Sequence, residues 1–417
     1  MSPLAVLGLL VGAAALFGWL SSRWLRIPNT VGTMLLTVTA SMLLTALSGW
    51  FPALHSGAVS LVRRLDFEAL ILHGMLSLLL FAGAFLLDLR ELFRQKLPVL
   101  VLSTVGTVLC ASLVAVAMWL ILPLLGAGAS WSECLLFGAL IAPTDPIAVL
   151  EMLKRAAVPA ELQAQLAGES LFNDGVAAVL FLAALEAARG TSPSATHIGL
   201  LVLIQSGGGI LIGISAAWLC AFLMRRVEEF QVDLLCSIAL ALGGYALADY
   251  WHLSAPLEAV VAGIALRYFL SKIPEELLDQ HRMDQFWEVI DEVQNAVLFV
   301  LLGLEALAIR FPAATAETGL TAIFLVLAVR LIVAGTLLWA IRLAIRSKTG
   351  SVSILTWGGL RGGLSIALAL AVPDELGRAW ILATTYVVVV FSILVQGGGM
   401  SLFLRLREQE KNRRLRS

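Results

Sequence analysis

The chain has 417 residues, of which 59% are hydrophobic and only 14% charged. A soluble protein of this length carries roughly 25% charged residues, so a single water-surrounded core is excluded and a polytopic membrane protein is indicated. The formal net charge of −1 decides nothing by itself, because the charges are segregated along the chain.

Crossing a bilayer as a helix takes about 20 mostly apolar residues. Thirteen stretches qualify, at about 3–22, 29–49, 67–87, 97–124, 131–152, 167–187, 197–224, 231–250, 253–270, 287–308, 317–343, 350–372 and 379–404. The first begins at Pro3 without a basic leader or a small-residue cleavage site, and reads as a retained helix. Only Trp251 and His252 separate the eighth from the ninth. The stretch between the ninth and tenth spans, about 271–286, has room for one short amphipathic helix. Cys110, Cys134, Cys220 and Cys236 lie in apolar runs without CxxC spacing, and read as buried small residues, not as disulfides or zinc ligands.

Lys and Arg set the orientation. Of the 28, 21 fall in the odd-numbered gaps and the C-terminal tail and 5 in the other gaps, with Arg330 and Arg361 inside spans. This places the N-terminus outside and the C-terminus in the cytoplasm. The expected organisation is one membrane domain over 1–404 and a short charged cytoplasmic tail at 405–417. Within the domain, two six-span repeats at about 3–187 and 231–404 flank a linking helix at about 197–224.

Two spans carry their own interruption. In the fifth, IAPTDPIAVL, Pro143 and Pro146 bracket Thr144 and Asp145. Each proline removes an amide donor and clashes with the preceding turn, so the span breaks in its middle. Freed carbonyls in lipid need protein, water or a cation to satisfy them. In the twelfth, TWGGLRGGLSIALAL, Gly358, Gly359, Gly362 and Gly363 surround Arg361 and lower helix stability there. The two breaks are the same ordinal element of each half. Paired broken helices at corresponding positions point to inverted repeats and a transport site at the midplane.

The sixth span opens with GESLFNDG. On a helix Ser170, Asn173 and Asp174 share a face, so hydroxyl, amide and carboxylate oxygens come together. Asp145, Thr144 and free carbonyls of the fifth span can join them. An all-oxygen set suits Na⁺, Li⁺ or K⁺, here at Asp174, Asp145, Ser170 and Thr144. A carboxylate in such a place also takes a proton, so proton and cation compete for Asp174. Asn173 cannot carry the proton, which makes one-for-one exchange the expectation. Glu169 and Arg330 are read as a structural ion pair, since either alone in a span is costly. Arg361 is expected to steady the broken helices through their carbonyls.

These motifs, Pro143-Thr144-Asp145-Pro146, Gly168 to Gly175 and Gly358-Gly359-Leu360-Arg361-Gly362, resemble the NhaP-type monovalent cation:proton antiporters of the sodium/proton exchanger superfamily. Phe299-Val300-Leu301-Leu302-Gly303-Leu304 after Asn295 adds to the likeness. The resemblance implies an all-α antiporter fold of the NhaA/NhaP kind, thirteen helices, a six-helix core domain and a homodimer formed by the others. It implies Asp174 as the ion and proton carboxylate, with Asp145, Thr144, Ser170 and Asn173 close by, and the Glu169–Arg330 pair. Asn-Asp goes with electroneutral exchange and Asp-Asp with electrogenic exchange. One departure is that Phe81-Ala82-Gly83-Ala84-Phe85 lacks the third-helix carboxylate of some relatives, with His73 about two turns away.

The leading reading is Na⁺/H⁺ antiport in a bacterial inner membrane, with the lipid bilayer and a second copy as partners and neither cofactor nor nucleic acid. Alternatives are K⁺/H⁺ antiport, a sodium-coupled organic-anion symporter, and an ion sensor without transport. No enzyme is expected: no Ser/His or HExxH constellation lies in a span, and GESLFNDG is not a GxSxG elbow.

Overall fold

A computed structural model describes residues 3–25, 27–64, 67, 70–156, 158–189, 195–227, 229–273, 279–309, 313–345 and 351–406. These residues form helices throughout, with no strand among them. In chain order the helices are α1 (Pro3–Leu20), α2 (Asn29–Ala46), α3 (Pro52–Arg64), α4 (Leu76–Phe85), α5 (Leu89–Arg94), α6 (Lys96–Val101) and α7 (Thr107–Ile121). Next come α8 (Trp131–Ile141), α9 (Ile147–Arg155), α10 (Ala160–Ala188), α11 (Ala195–Met224), α12 (Phe230–Tyr250) and α13 (Ala255–Leu270). The last are α14 (Gln280–Glu305), α15 (Ala313–Ile345), α16 (Val352–Trp357), α17 (Gly363–Leu370) and α18 (Arg378–Phe391).

Among the described residues, eight helical segments are long and apolar enough to cross a membrane, and 70–85 and 131–141 are shorter apolar helices. Large apolar side chains such as Trp19, Leu203, Leu211, Phe324 and Trp339 point outward, as a lipid-facing surface requires. The chain is a multi-pass membrane protein.

Small residues let the helices approach closely, the usual device where lipid gives no hydrophobic drive for association. A Cβ on Gly303 of α14 would lie 2.5 Å from Thr37 Cβ of α2, and Ser41 Oγ donates to the Gly303 carbonyl at 2.9 Å. Phe81, Phe85 and Trp287 fill one core beside α13, with the Phe81 and Trp287 rings 4.7 Å apart. A second core gathers Met34, Phe299, Leu301 and Tyr386.

Two places differ from the sequence expectation. The stretch before the tenth span forms no separate helix from Gln280 onward, because Asp279 accepts the Arg282 N–H and starts α14 there. The gap after the second span contains α3. The eighth and ninth spans separate where the sequence places the gap, in a tight turn with His252 at φ 55°. Residues 407–417 of the tail, with Arg26, Arg310, Arg346 and Lys348, lie outside the described residues, as does the side chain of His73.

Both interruptions form. The fifth span divides into α8 and α9, and the twelfth into α16 and α17. Between the halves the two extended segments meet as an isolated antiparallel bridge, Asp145 opposite Leu360. The Asp145 N–H donates to the Leu360 carbonyl at 2.8 Å.

Candidate ion site

The crossing of the broken helices is closed by α10. Asn173 Nδ2 donates to Thr144 Oγ1 at 2.8 Å, and the Thr144 N–H donates to Asn173 Oδ1 at 3.3 Å. Thr144 Oγ1 and Ser170 Oγ are 3.0 Å apart. Thr144, Ser170 and Asn173 are all buried. The helix stops at Ile141 ahead of Pro143, so the Thr144 N–H has left the helical ladder and uses the Asn173 side chain as its acceptor.

Asp145 and Asp174 flank this network and keep part of their surface exposed. They lie within electrostatic reach of each other. Asp145 Oδ1 accepts the Ile147 N–H at 3.0 Å and so caps the start of α9. A Cβ on Gly362 would collide with the Asp145 side chain, which is why this close approach needs glycine. The hydroxyls of Thr144 and Ser170 thus lie together beside Asp145 and one helix turn from Asp174, an all-oxygen neighbourhood of the kind a hard monovalent cation prefers as substrate.

Two buried arginines next to this group, Arg330 and Arg361, have partners in the protein. Arg330 Nη1 stands 2.5 Å from Glu169 Oε1, and both side chains are almost wholly buried. The same guanidinium donates to the Leu355 carbonyl from Nε at 3.4 Å and Nη2 at 3.3 Å. It thereby joins α10, α15 and α16. Gly359 lies against it, where a Cβ would be 2.9 Å from Nε.

Arg361 Nη1 donates to the carbonyls of Ala142 and of Pro143, the latter at 2.9 Å. Each of these two carbonyls of the fifth span thus accepts a hydrogen bond from the guanidinium. Its fixed positive charge complements the negative C-terminal end of α8. Pro143 and Pro146 stand at the break, and Gly358, against Val149, and Gly362, against Asp145, let the second broken segment lie close to the first.

Residues missed in the sequence lie in the last span. The Arg361 N–H donates to Ser392 Oγ at 2.9 Å, and Ser392 Oγ donates to Gln396 Oε1 at 2.8 Å. Gln396 Nε2 donates to the Trp357 carbonyl at 3.2 Å, and Trp357 Nε1 donates to the Gln396 carbonyl at 3.0 Å. The available signal was two polar residues four apart inside FSILVQG, a run otherwise apolar.

Two broken helices crossing at a buried polar site inside a bundle of apolar helices define a secondary transporter. The model of the family described as sodium/hydrogen exchanger, transmembrane, matches residues 11–406, and the chain belongs to that family. The chain is 36% identical over 393 residues to the Na⁺/H⁺ antiporter NhaP of Pseudomonas aeruginosa, covering 93% of each protein. It is 33% identical over 340 residues to the Na⁺/H⁺ antiporter NhaH of Halobacillus dabanensis, covering 79% of this chain and 81% of that one. Its fold is similar to the solved structure of the sodium proton antiporter MjNhaP1 from Methanocaldococcus jannaschii, with a TM-score of 0.73 at 19% identity over 96% of this chain and 97% of that one.

Proposed function

We propose that the protein exchanges Na⁺ for H⁺ across the membrane by alternating access, with both ions competing for Asp174. The observation that carries this reading is the Thr144–Asn173–Ser170 network, which holds two partly open carboxylates at the crossing of the broken helices. Asp145 is committed through Oδ1 to the start of α9, which leaves Asp174 as the carboxylate that trades proton for cation. Asn173 takes no proton and uses both ends of its amide on Thr144. One cation then replaces one proton, and exchange is electroneutral. The naming of the relatives as Na⁺/H⁺ antiporters supports Na⁺ as the cation.

In this reading Glu169 and Arg330 form a structural pair, and Arg361 holds the crossing together. The two broken spans belong to inverted repeats on either side of a linking helix. The N-terminus is outside and the C-terminus cytoplasmic, in a bacterial inner membrane, and the working unit is a homodimer that needs no cofactor.

The test is proton movement in sealed proteoliposomes with a preset pH gradient, on adding Na⁺, Li⁺ or K⁺ separately, with voltage clamped or free. Na⁺-dependent collapse of the gradient, insensitive to voltage, is the expected result. A response to K⁺ in place of Na⁺ would reassign the cation. No response from folded protein would reject antiport.

A further inference from the structure

The peptide group between Leu360 and Arg361 is held at both ends. Its carbonyl accepts the Asp145 N–H at 2.8 Å, and its N–H donates to Ser392 Oγ at 2.9 Å. In a trans peptide the C=O and N–H point in opposite directions from one rigid plane. The orientation of this plane therefore links the last span to the backbone of Asp145. Ser392 is 1% exposed and Gln396 3% exposed, so water does not compete for these bonds.

The anchor on the far side is a closed ring of contacts. Ser392 accepts from Arg361 and donates to Gln396. Gln396 and Trp357 then exchange two hydrogen bonds, each giving one donor and one carbonyl. Trp357 is the last residue of α16, so its carbonyl is one of the groups left unpaired by the break. The indole is fixed on its other side by stacking on Phe403, with centroids 5.6 Å apart. Ser392 to Gly397 form a π-helical turn continuing α18, an irregularity that recurs at functional sites. Gln396 also lines a small cavity with Arg330, Gly359 and Arg361. Hydrogen bonds in series polarise one another, so the bonds from Gln396 through Ser392 to Asp145 act together.

We infer that Ser392 and Gln396 are positioning residues for cation binding: they fix the Leu360–Arg361 peptide and, through it, the place of Asp145 beside Thr144. The inference rests on the proposed ion site. Neither residue touches the ion; each acts through the peptide that Asp145 bonds to. Loss of the anchor lets that peptide turn, and the carboxylate moves relative to Thr144 and Ser170. The effect therefore falls on the affinity and size preference of the site, over and above any effect on folding.

The experiment compares Ser392→Ala, Ser392→Thr, Gln396→Met and the Ser392→Ala/Gln396→Met double variant in proteoliposomes. The KM for Na⁺, its ratio to the KM for Li⁺, and the amount of folded protein are measured for each. Ser392→Ala is expected to raise the Na⁺ KM about fivefold, the equivalent of one buried hydrogen bond, and to change the Li⁺ to Na⁺ ratio. Ser392→Thr keeps the hydroxyl and is expected to recover most of the loss. The double variant is expected to be no worse than the poorer single one, since both break one chain of contacts. Trp357→Phe, which removes only the indole N–H, is expected to shift KM in the same direction by less, and serves where Ser392→Ala does not fold. Unchanged KM and ratio in folded protein, or additive losses, would overturn the inference.

A binding measurement separates this outcome from failure of antiport. Na⁺ raises the unfolding temperature of a protein that binds it in the folded state. If the wild type shows that rise but transports nothing, antiport fails while a reduced rise in Ser392→Ala still supports the positioning role. An equal rise in both proteins overturns it.

Discussion

Asn173 and Thr144 grip each other twice: the side-chain amide gives a hydrogen bond to the Thr144 hydroxyl at 2.8 Å and takes one from the Thr144 N–H at 3.3 Å. This reciprocal contact joins a continuous helix, α10, to the broken segment after α8. It uses a donor and an acceptor on one side chain, which only an amide offers in this shape.

Asn173→Asp removes the donor and places a carboxylate oxygen opposite the Thr144 hydroxyl, which can turn to donate. The expected cost to stability is at least about 1 kcal/mol for the rearranged bond, and more for burying a carboxylate at a site 1% exposed, read as a lower unfolding temperature in detergent. The added carboxylate should also make exchange voltage-sensitive. A variant identical to the wild type in stability, rate and voltage response would contradict the role given to the amide.

Asp174→Asn keeps the size of the side chain and removes its capacity to take a proton. Exchange in proteoliposomes is expected to fall to background while folded yield and unfolding temperature stay near those of the wild type. Exchange at near-normal rate would remove Asp174 from the centre of the mechanism.

Glu169 and Arg330 pair at 2.5 Å with almost no exposure. Removing one partner from a buried pair costs about 3–5 kcal/mol because the other charge is stranded. Arg330→Ala should therefore unfold well below the wild type, and Glu169→Ala added to it should restore part of the loss. Thermal unfolding of the four proteins gives the coupling energy, and simple additivity would mean no pair.

Competition at one carboxylate predicts a definite pH dependence. As pH falls, protons occupy Asp174 more often and the KM for Na⁺ rises, while the rate at saturating Na⁺ changes much less. Initial rates across a grid of pH and Na⁺ concentration test this. A falling maximal rate at constant KM would indicate that the proton binds elsewhere.

Gly362 packs where a Cβ would strike the Asp145 side chain. Gly362→Ala should separate the two broken segments and lower exchange at least about tenfold, in line with the rate lost when a reacting group is misplaced by a fraction of an ångström to an ångström. Activity assays against Gly319→Ala, whose Cβ would instead crowd Val387 of α18, distinguish a site effect from a general packing loss.

Much of this molecule is written in local physics. Hydropathy sets the membrane class, because about 20 apolar residues have no other stable use. Pro143 and Pro146 break the fifth span wherever it packs, since the missing amides are a property of the residues themselves. The shared face of Ser170, Asn173 and Asp174 follows from helix geometry alone. The Glu169–Arg330 pairing was legible because two opposite buried charges need each other.

The tertiary structure decided which distant groups satisfy the broken backbone. Arg361 reaches the Ala142 and Pro143 carbonyls in particular, more than 200 residues away in sequence, and so satisfies them. The Leu360 carbonyl goes to Asp145, and the Arg361 amide to Ser392. An unwound segment presents several equivalent donors and acceptors, and its sequence carries no mark of which will be used. Helix packing makes that choice by fixing which side chains lie within hydrogen-bond reach, and with it the place of Asp145 beside Thr144.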